Sequence, residues 1–317
     1  MKKIVEKEKM KSNNAKVVKK IELLKQQKNA VILAHYYTLP EVQDIADVVG
    51  DSLVLAQKTV TLKADIVVMC GVHFMAETVK ILAPDKKVLL PDLNAGCSLA
   101  ESCQFADFQQ FMKQYPDHIV ISYVNTSAAV KSMTDICCTS SNALKIVDSL
   151  PKDAKIVFAP DKNLGNYINA QTGRNMVLWN GACHVHEQFS VEKIVELKRK
   201  YPQAKVLAHP ECKKPVLLLA DKIGSTAALL AYTQQTNDKQ FIVATESGII
   251  HQMQNANPQK QFIPVPPMDS TCGCTDCNYM KTNTLHKIAD VLEHENNEIL
   301  VKENLRKKAE KSILRML

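Results

Sequence analysis

Residues 30–37 read AVILAHYY, a short apolar run that ends in a histidine and two tyrosines. The same design returns in HIVISYVN at residues 118–125 and in AKVLAHPE at residues 204–211. The polar ends of the three runs are separated by 88 and 86 residues. A nearly constant period of this size indicates an internal structural repeat.

Two more apolar runs follow each of these segments in the same order. The second runs are ADIVVMC (64–70), AKIVFAP (154–160) and KQFIVAT (239–245), and the third are KVLLPD (87–92), MVLWNG (176–181) and FIPVPP (262–267). Short, nearly continuous apolar strands that alternate with helices predict buried parallel sheets with right-handed crossovers. We therefore expect an α/β fold of three small three-layer domains in a pseudo-threefold arrangement around a central site. One long doubly wound sheet is the alternative.

Helical patterns separate the copies. Apolar residues recur at three- and four-residue spacing in residues 105–115, 190–201 and 282–294, and residues 15–27 supply the matching helix before the first strand. Asp107 and Ser190 are expected to be N-cap residues. The predicted division is an N-terminal helix and first repeat at 1–104, a second repeat at 105–189, a third at 190–278, and a C-terminal helical segment at 279–317 that packs back on the first repeat.

Composition fits a globular protein rather than a membrane or nucleic-acid-binding one. Of 317 residues, 46% are hydrophobic and 23% charged, which is ordinary for a folded domain. No apolar run approaches the roughly 18 residues of a membrane span, and no apolar segment of a signal peptide follows the lysine-rich start, so we expect a cytoplasmic protein. The net charge of +7 comes from residues 1–20 and 302–317, which argues against a nucleic-acid site in the core.

Each third apolar run leads into a loop that contains cysteine. Cys97 and Cys183 lie in the first two loops, 86 residues apart, and Cys277 lies 94 residues beyond Cys183. Three thiolates on one axis suit an iron–sulfur cluster or zinc. Cys274 and Cys277 have C-x-x-C spacing, so a local zinc knuckle or a redox pair stays open, and the role of Cys272 and Cys274 is undetermined. Other cysteines, including Cys70 and the pair at 137–138 that we expect to open a helix, are expected to pack as small hydrophobes.

Hydroxyl residues recur about 17 residues after each first strand. They are Ser52, Ser140, and Ser225 with Thr226. We expect helices to begin at these positions, where hydroxyls and free N–H groups form anion sites. Simple N-capping is the alternative for each of them.

The ordered motifs resemble those of bacterial and archaeal quinolinate synthases over residues 20–295. They are AHYY, GDSL, AGCSLA, SYVNTSAAVK, CCTSSNA, CHVH, AHPEC, GSTA and CNYMKTNTLHKI. The resemblance implies a transferase that condenses iminoaspartate with dihydroxyacetone phosphate to quinolinate, with loss of phosphate and two waters, in de novo NAD biosynthesis. It also implies functional coupling to an aspartate-oxidising enzyme and no nucleic-acid or membrane partner. The family's one [4Fe–4S] cluster per chain would be held by Cys97, Cys183 and Cys277, with one open iron as Lewis acid.

The resemblance also assigns roles to individual side chains. Those implied as catalytic are Tyr37, Tyr123, His209 and Glu211. Those implied as substrate-binding are His35, Ser52, Tyr123, Asn125, Ser140, His186, His209, Glu211, Ser225 and Thr226. We expect burial to raise the pKa of Glu211 toward neutrality. The alternatives are another [4Fe–4S] hydro-lyase that acts on a small hydroxy acid, and a non-enzymatic cluster or zinc protein.

Overall fold

The computed structural model describes residues 2–268 and 275–317, with side chains from residue 13 onward. The described residues form three four-stranded sheets in which every strand pair is parallel. The strands are β1 (Ala30–His35), β2 (Val48–Gly50), β3 (Ile66–Cys70), β4 (Lys87–Leu89), β5 (Ile119–Tyr123), β6 (Ile136–Cys138), β7 (Ile156–Ala159), β8 (Val177–Leu178), β9 (Lys205–Ala208), β10 (Lys222–Ile223), β11 (Gln240–Ala244) and β12 (Gln261–Pro264). The strand orders are β2-β1-β3-β4, β6-β5-β7-β8 and β10-β9-β11-β12, so all three sheets share one topology.

Helices flank these sheets and connect their strands. They are α1 (Lys2–Gln27), α2 (Pro40–Ile45), α3 (Ser52–Thr59), α4 (His73–Leu82), α5 (Ser98–Glu101), α6 (Phe105–Met112), α7 (Ala128–Lys131), α8 (Ala143–Asp148), α9 (Lys162–Thr172), α10 (His184–Glu187), α11 (Val191–Lys200), α12 (Lys214–Leu217), α13 (Thr226–Gln235), α14 (Ile249–Ala256), α15 (Asn278–Lys281), α16 (Leu285–His294) and α17 (Glu303–Leu314). The expected architecture of three three-layer α/β units around one site is confirmed. None of the helices in the described part of the chain is long and apolar enough to span a bilayer.

A repeated aspartate fastens the short edge strand of each sheet. The residue before β2, β6 and β10 exchanges backbone and side-chain hydrogen bonds with a single residue of the neighbouring strand, in the pairs Asp47–Ile32, Asp135–Val120 and Asp221–Val206. The three aspartates are 88 and 86 residues apart, the period found in the sequence. The three copies therefore share these hydrogen bonds as well as their strand order.

Some local expectations are corrected by the structure. Cys137 and Cys138 lie in strand β6 rather than at a helix start. The edge strands β2, β6 and β10 have only two or three residues each, which is too few to show a strand pattern in the sequence. Gln104, not Asp107, is the N-cap of α6. Ser190 caps α11 as expected, since its side chain accepts the N–H of Lys193.

The terminal helices pack on the first two units. Helix α1 packs against α16, and Ile21 and Ile288 are both fully buried in the core cluster that covers one face of the first sheet. Helix α17 contacts α4, α7 and β6, and Arg306 donates to the carbonyl of Ile81. The chain ends thus join the first and second units, whereas the domain boundaries given above stay a prediction.

Candidate functional site

A cavity with about 710 Å³ of empty space, counting its mouth, lies where the carboxyl ends of strands from all three sheets meet. Parallel α/β folds place ligands at this end of their strands. The lining includes every side chain singled out above as a ligand, catalytic or substrate-binding residue, with one exception, Ser225. The three copies therefore contribute to a single site.

Each of the three cysteines lies immediately before a one-turn helix. Cys97, Cys183 and Cys277 are the N-cap residues of α5, α10 and α15. Burial raises the pKa of Cys97 to about 12, that of Cys277 to about 11, and that of Cys183 strongly. The opposing influence in all three is a backbone N–H three residues later, from Ala100, His186 and Met280 respectively. Because this geometry recurs in each copy, the three sulfurs are prepared in the same way to become thiolates when a metal replaces their protons.

Glu211 is held by groups from other parts of the chain. It is 3% exposed, accepts the hydroxyl of Tyr123 at 2.5 Å, and has its other oxygen 3.0 Å from Nδ1 of His186. Burial favours the neutral acid, but attraction to protonated His209, attraction to His186 and the hydrogen bonds from His186 and Tyr123 favour the carboxylate and lower the pKa of Glu211. At neutral pH, where His209 is neutral, the hydrogen bonds from His186 and Tyr123 remain. The expectation that the pKa of Glu211 is raised toward neutrality is therefore wrong, and Glu211 is a carboxylate at neutral pH. Burial and the neighbouring Glu211 in turn raise the pKa of Tyr123 well above its usual value, so Tyr123 stays a hydroxyl donor.

Two histidines occupy equivalent turns after the first strands of copies one and three. Nδ1 of His35 accepts the N–H of Tyr37 at 3.1 Å, and Nδ1 of His209 accepts the N–H of Glu211 at 3.4 Å. Nε2 of His209 lies 3.1 Å from the hydroxyl of Ser140. Burial lowers the pKa of both histidines to about 3. Both imidazoles are therefore neutral at pH 7. Because Nδ1 accepts a backbone N–H in each ring, the proton lies on Nε2, which is a donor, and in His209 this donor faces the Ser140 hydroxyl.

The hydroxyl residues fall into two groups. Thr226 begins α13 and its Oγ1 lies 2.8 Å from the Tyr37 hydroxyl, whereas Ser225 caps the same helix by accepting the N–H of Ala228. The N-cap interpretation is the one that the geometry supports for Ser225. Ser52 begins α3, but the carboxylate of Asp51 already caps that helix, so an anion would meet only the Ser52 hydroxyl there.

Neutral groups dominate the wall of the cavity. No lysine or arginine is found among the described residues that line it, so an anion would be held by hydroxyls, imidazoles and the start of α13. Asn125 faces this space, and its Oδ1 is buried without a hydrogen-bond partner within residues 13–268 and 275–317. This acceptor can therefore take a hydrogen bond from a ligand donor in the cavity.

Sequence reasoning missed several residues around the cysteines. Glu246 is buried, lines the cavity, and forms a 2.9 Å ion pair with Lys281. Burial raises the pKa of Glu246 to about 7 against the opposing effect of Lys281. Beside the cysteines, Ser98 Oγ lies 2.6 Å from Nδ1 of His184. Glu246 could have been found from its position two residues after a second strand.

The mixed donor set around Cys183 can also hold a metal ion. Ligand atoms of Cys183, His186 and Glu211 all lie within 4.8 Å of one another, and His186 Nδ1 is 3.2 Å from the Cys183 sulfur. This set shares Cys183 with the three-cysteine set. Cys272 and Cys274 lie outside the described residues.

Comparison with known proteins gives a consistent result over nearly the whole chain. The family model for the quinolinate synthetase A protein matches residues 19–317. The chain is 58% identical to the quinolinate synthase of Microcystis aeruginosa, over 94% of this chain and 93% of that protein. It is 57% identical to the one of Thermosynechococcus vestitus, over 95% and 94%, and 53% identical to the one of Chloroherpeton thalassium, over 99% and 97%.

Proposed function

The chain belongs to the quinolinate synthase family, and from this premise we propose that it condenses iminoaspartate with dihydroxyacetone phosphate to quinolinate for NAD biosynthesis. Phosphate and two waters leave in this reaction. The observation that carries the proposal is the convergence of Cys97, Cys183 and Cys277 on one cavity that also holds the Tyr123–Glu211 pair. The three cysteines are suited to holding a metal group, and the Tyr123–Glu211 pair is suited to proton transfer.

The donor set fits a [4Fe–4S] cluster better than an isolated zinc ion. Three soft sulfurs, one from each copy, suit iron–sulfur chemistry, and a three-cysteine set leaves one iron without a protein ligand. Bound there, the cluster would supply a Lewis acid that holds a substrate oxygen and assists the loss of water. The mixed set of Cys183, His186 and Glu211 favours zinc instead, so the metal content decides between the two.

The polar side chains have distinct tasks in this proposal. Glu211, a buried carboxylate, accepts a proton from the substrate. The Tyr123 hydroxyl, 2.5 Å from Oε1 of Glu211, stabilises the negative charge that forms on the substrate or donates a proton to it. Neutral His35 and His209 bind substrate oxygens through Nε2, and Asn125 Oδ1 accepts from a substrate donor. Each role follows from the protonation state of the side chain and its place in the cavity wall, where the Nε2 of His209 also reaches the Ser140 hydroxyl.

The substrate anions require a second set of groups. Thr226 and the N–H groups at the start of α13 are suited to a carboxylate or phosphate, because no acidic side chain caps that helix. Ser52, Ser140 and Tyr37 add hydroxyls. His186 lies between Cys183 and Glu211 and both orients the ligand loop and contacts the substrate.

Metal analysis after anaerobic purification tests the proposal. We expect a brown protein with about four irons and four sulfides per chain, and loss of both when Cys97, Cys183 or Cys277 is changed singly to Ala. Cys70→Ala is the matched control, because Cys70 is a buried thiol in strand β3 and does not line the cavity. Colourless protein that holds zinc contradicts the cluster, and no phosphate release from the two substrates contradicts the reaction.

A further inference from the structure

Two buried carboxylates hold the backbone of two of the three cysteines. Asp161 Oδ2 accepts the N–H of Cys183 at 3.2 Å, and Glu246 Oε1 accepts the N–H of Cys277 at 3.1 Å. Both acids are fully buried. Their second oxygens accept the N–H groups of Leu164 and Gly248, both at 2.7 Å. Each carboxylate therefore ties a cysteine loop to the turn that follows a central strand.

The two acids are equivalent by sheet register. Ala159 of β7 pairs with the residue before Tyr123, and Ala244 of β11 pairs with the residue before His209. Asp161 comes two residues after Ala159, and Glu246 two residues after Ala244. An aspartate and a glutamate thus occupy the same position of the repeat, and each accepts the N–H of the cysteine in its own copy. This recurrence indicates that the two acids have the same structural role.

The first copy departs from this arrangement. Its equivalent strand residue is Cys70, which pairs with the residue before His35, so the equivalent of the two acids is Val72. The side chain of Val72 has no hydrogen-bond acceptor. The first loop is fastened instead by a backbone bond from the His73 N–H to the carbonyl of Ala95, at 2.8 Å, two residues before Cys97.

The two carboxylates also connect the cysteine loops to larger elements. Asp161 caps α9, an eleven-residue helix. Glu246 is paired with Lys281, whose Nζ donates to the carbonyl of Tyr37 at 2.9 Å and so reaches the first copy. Displacing either carboxylate would release its cysteine loop from a rigid support.

We propose that Asp161 and Glu246 are positioning residues that fix the orientation of Cys183 and Cys277 before any metal binds. The inference rests on the proposed function in one respect, that these cysteines hold a shared metal group. Partners that orient metal ligands strongly affect metal retention, with losses of about 10- to 100-fold when they are removed.

Amide substitution tests the proposal with matched controls. In Asp161→Asn and Glu246→Gln, one acceptor oxygen becomes an NH₂ group. In either amide orientation one end of the tie is lost, either the N–H of the cysteine or the N–H of Leu164 or Gly248. Asp135→Asn and Asp221→Asn make the same chemical change in the same copies. Their carboxylates accept strand N–H groups at the opposite end of the sheet from the cysteines.

The first readout uses the metal-free, reduced chain and iodoacetamide, with each thiol followed by peptide mass spectrometry. We expect Asp161→Asn to raise the alkylation rate of Cys183 relative to Cys97 about three- to tenfold, because a released loop exposes the thiol and because loss of the Asp161 charge lowers the pKa of Cys183. The charge effect alone does not release the metal group, so the second readout separates the two causes. Glu246→Gln should raise the relative rate of Cys277 alone. Both controls should leave the ratios unchanged.

The second readout is retention of the metal group. After anaerobic reconstitution with iron and sulfide, the visible absorbance should disappear under a chelator about tenfold faster in both variants than in the wild type or the controls. Unchanged ratios and unchanged decay would overturn the inference. Equal acceleration of all three thiols would also overturn it, because general loosening and not loop anchoring would then be the cause.

The two proposals fail separately in these experiments. If the wild-type chain takes up no iron and sulfide, the proposed function fails, whereas the alkylation ratios of the metal-free chain still decide the anchoring. If Asp161→Asn does not fold, Glu246→Gln decides the matter alone, since Glu246 is not the N-cap residue of a helix.

Discussion

The buried hydrogen bond between Tyr123 and Glu211 allows a quantitative test of the charge assigned to Glu211. Tyr123→Phe removes the hydroxyl that Glu211 accepts at 2.5 Å and leaves His186 at 3.0 Å as the remaining close partner of the carboxylate. A hydrogen bond to a charged group contributes about 1.5–3 kcal/mol, whereas one between neutral groups contributes about 1 kcal/mol. The cost of the substitution therefore depends on whether residue 211 is ionised.

A double-mutant cycle separates these cases. With Glu211 present, Tyr123→Phe should lower the free energy of unfolding by about 2–3 kcal/mol, which corresponds to a fall in Tm of roughly 3–6 °C. In a Glu211→Gln background the same change should cost about 1 kcal/mol, because a neutral amide oxygen replaces the carboxylate. The expected coupling between the two positions is thus about 1–2 kcal/mol.

Calorimetry of the metal-free, reduced chain at neutral pH measures the four proteins of the cycle. Thr78→Val is the matched control, because the buried Thr78 hydroxyl donates to the neutral carbonyl of Phe74 at 2.8 Å, and its cost should be the same in both backgrounds. In the loaded enzyme, either single change should lower kcat about 10²- to 10⁴-fold, and the double change should add little. Additive stabilities, within about 0.5 kcal/mol, would show that Glu211 is not the buried carboxylate inferred above.

Three further outcomes test other parts of the structure. His35 and His209 have pKa values of about 3 in the folded chain and 6.5 in the unfolded chain, so the unfolded chain binds more protons between these values. Acidification from pH 7 to 5 should therefore lower the free energy of unfolding, measured by urea titration, by about 2 kcal/mol per histidine. His209→Asn should reduce this dependence of the unfolding free energy on pH. Gly248→Ala should destabilise by about 1–3 kcal/mol in thermal melts, since a Cβ there lies 2.8 Å from the carbonyl oxygen of Tyr36, and an unchanged Tm would contradict this. Gly173→Ala should cost only about 1 kcal/mol, because Gly173 has φ +67° at the end of α9 but open space around it. A cost larger than that of Gly248→Ala would show that the close contact at Gly248 is not the dominant effect.

The sequence predicts the fold and most of the lining because both depend on local patterns. An apolar run that ends in a polar group, as at His35, indicates a buried strand and also places that group at the ligand-binding end of a parallel sheet. The short strands such as β10 were missed because two or three residues carry too little periodicity. The low pKa of Glu211 was missed because its partners Tyr123 and His186 are 88 and 25 residues away in sequence, and burial alone predicts the opposite shift.

The interactions that define the cavity join different copies of the repeat. Tyr123 of the second copy donates to Glu211 of the third, Tyr37 of the first lies against Thr226 of the third, and Ser141 of the second donates to Asp51 of the first at 2.8 Å. A single copy contains neither the partners that set the charge of Glu211 nor the three sulfurs. The repeat therefore accounts for the placement of the polar groups. Departures from the repeat account for the differences among the three cysteine loops: Asp161 and Glu246 accept the N–H groups of two of the cysteines, whereas the equivalent residue in the first copy is Val72.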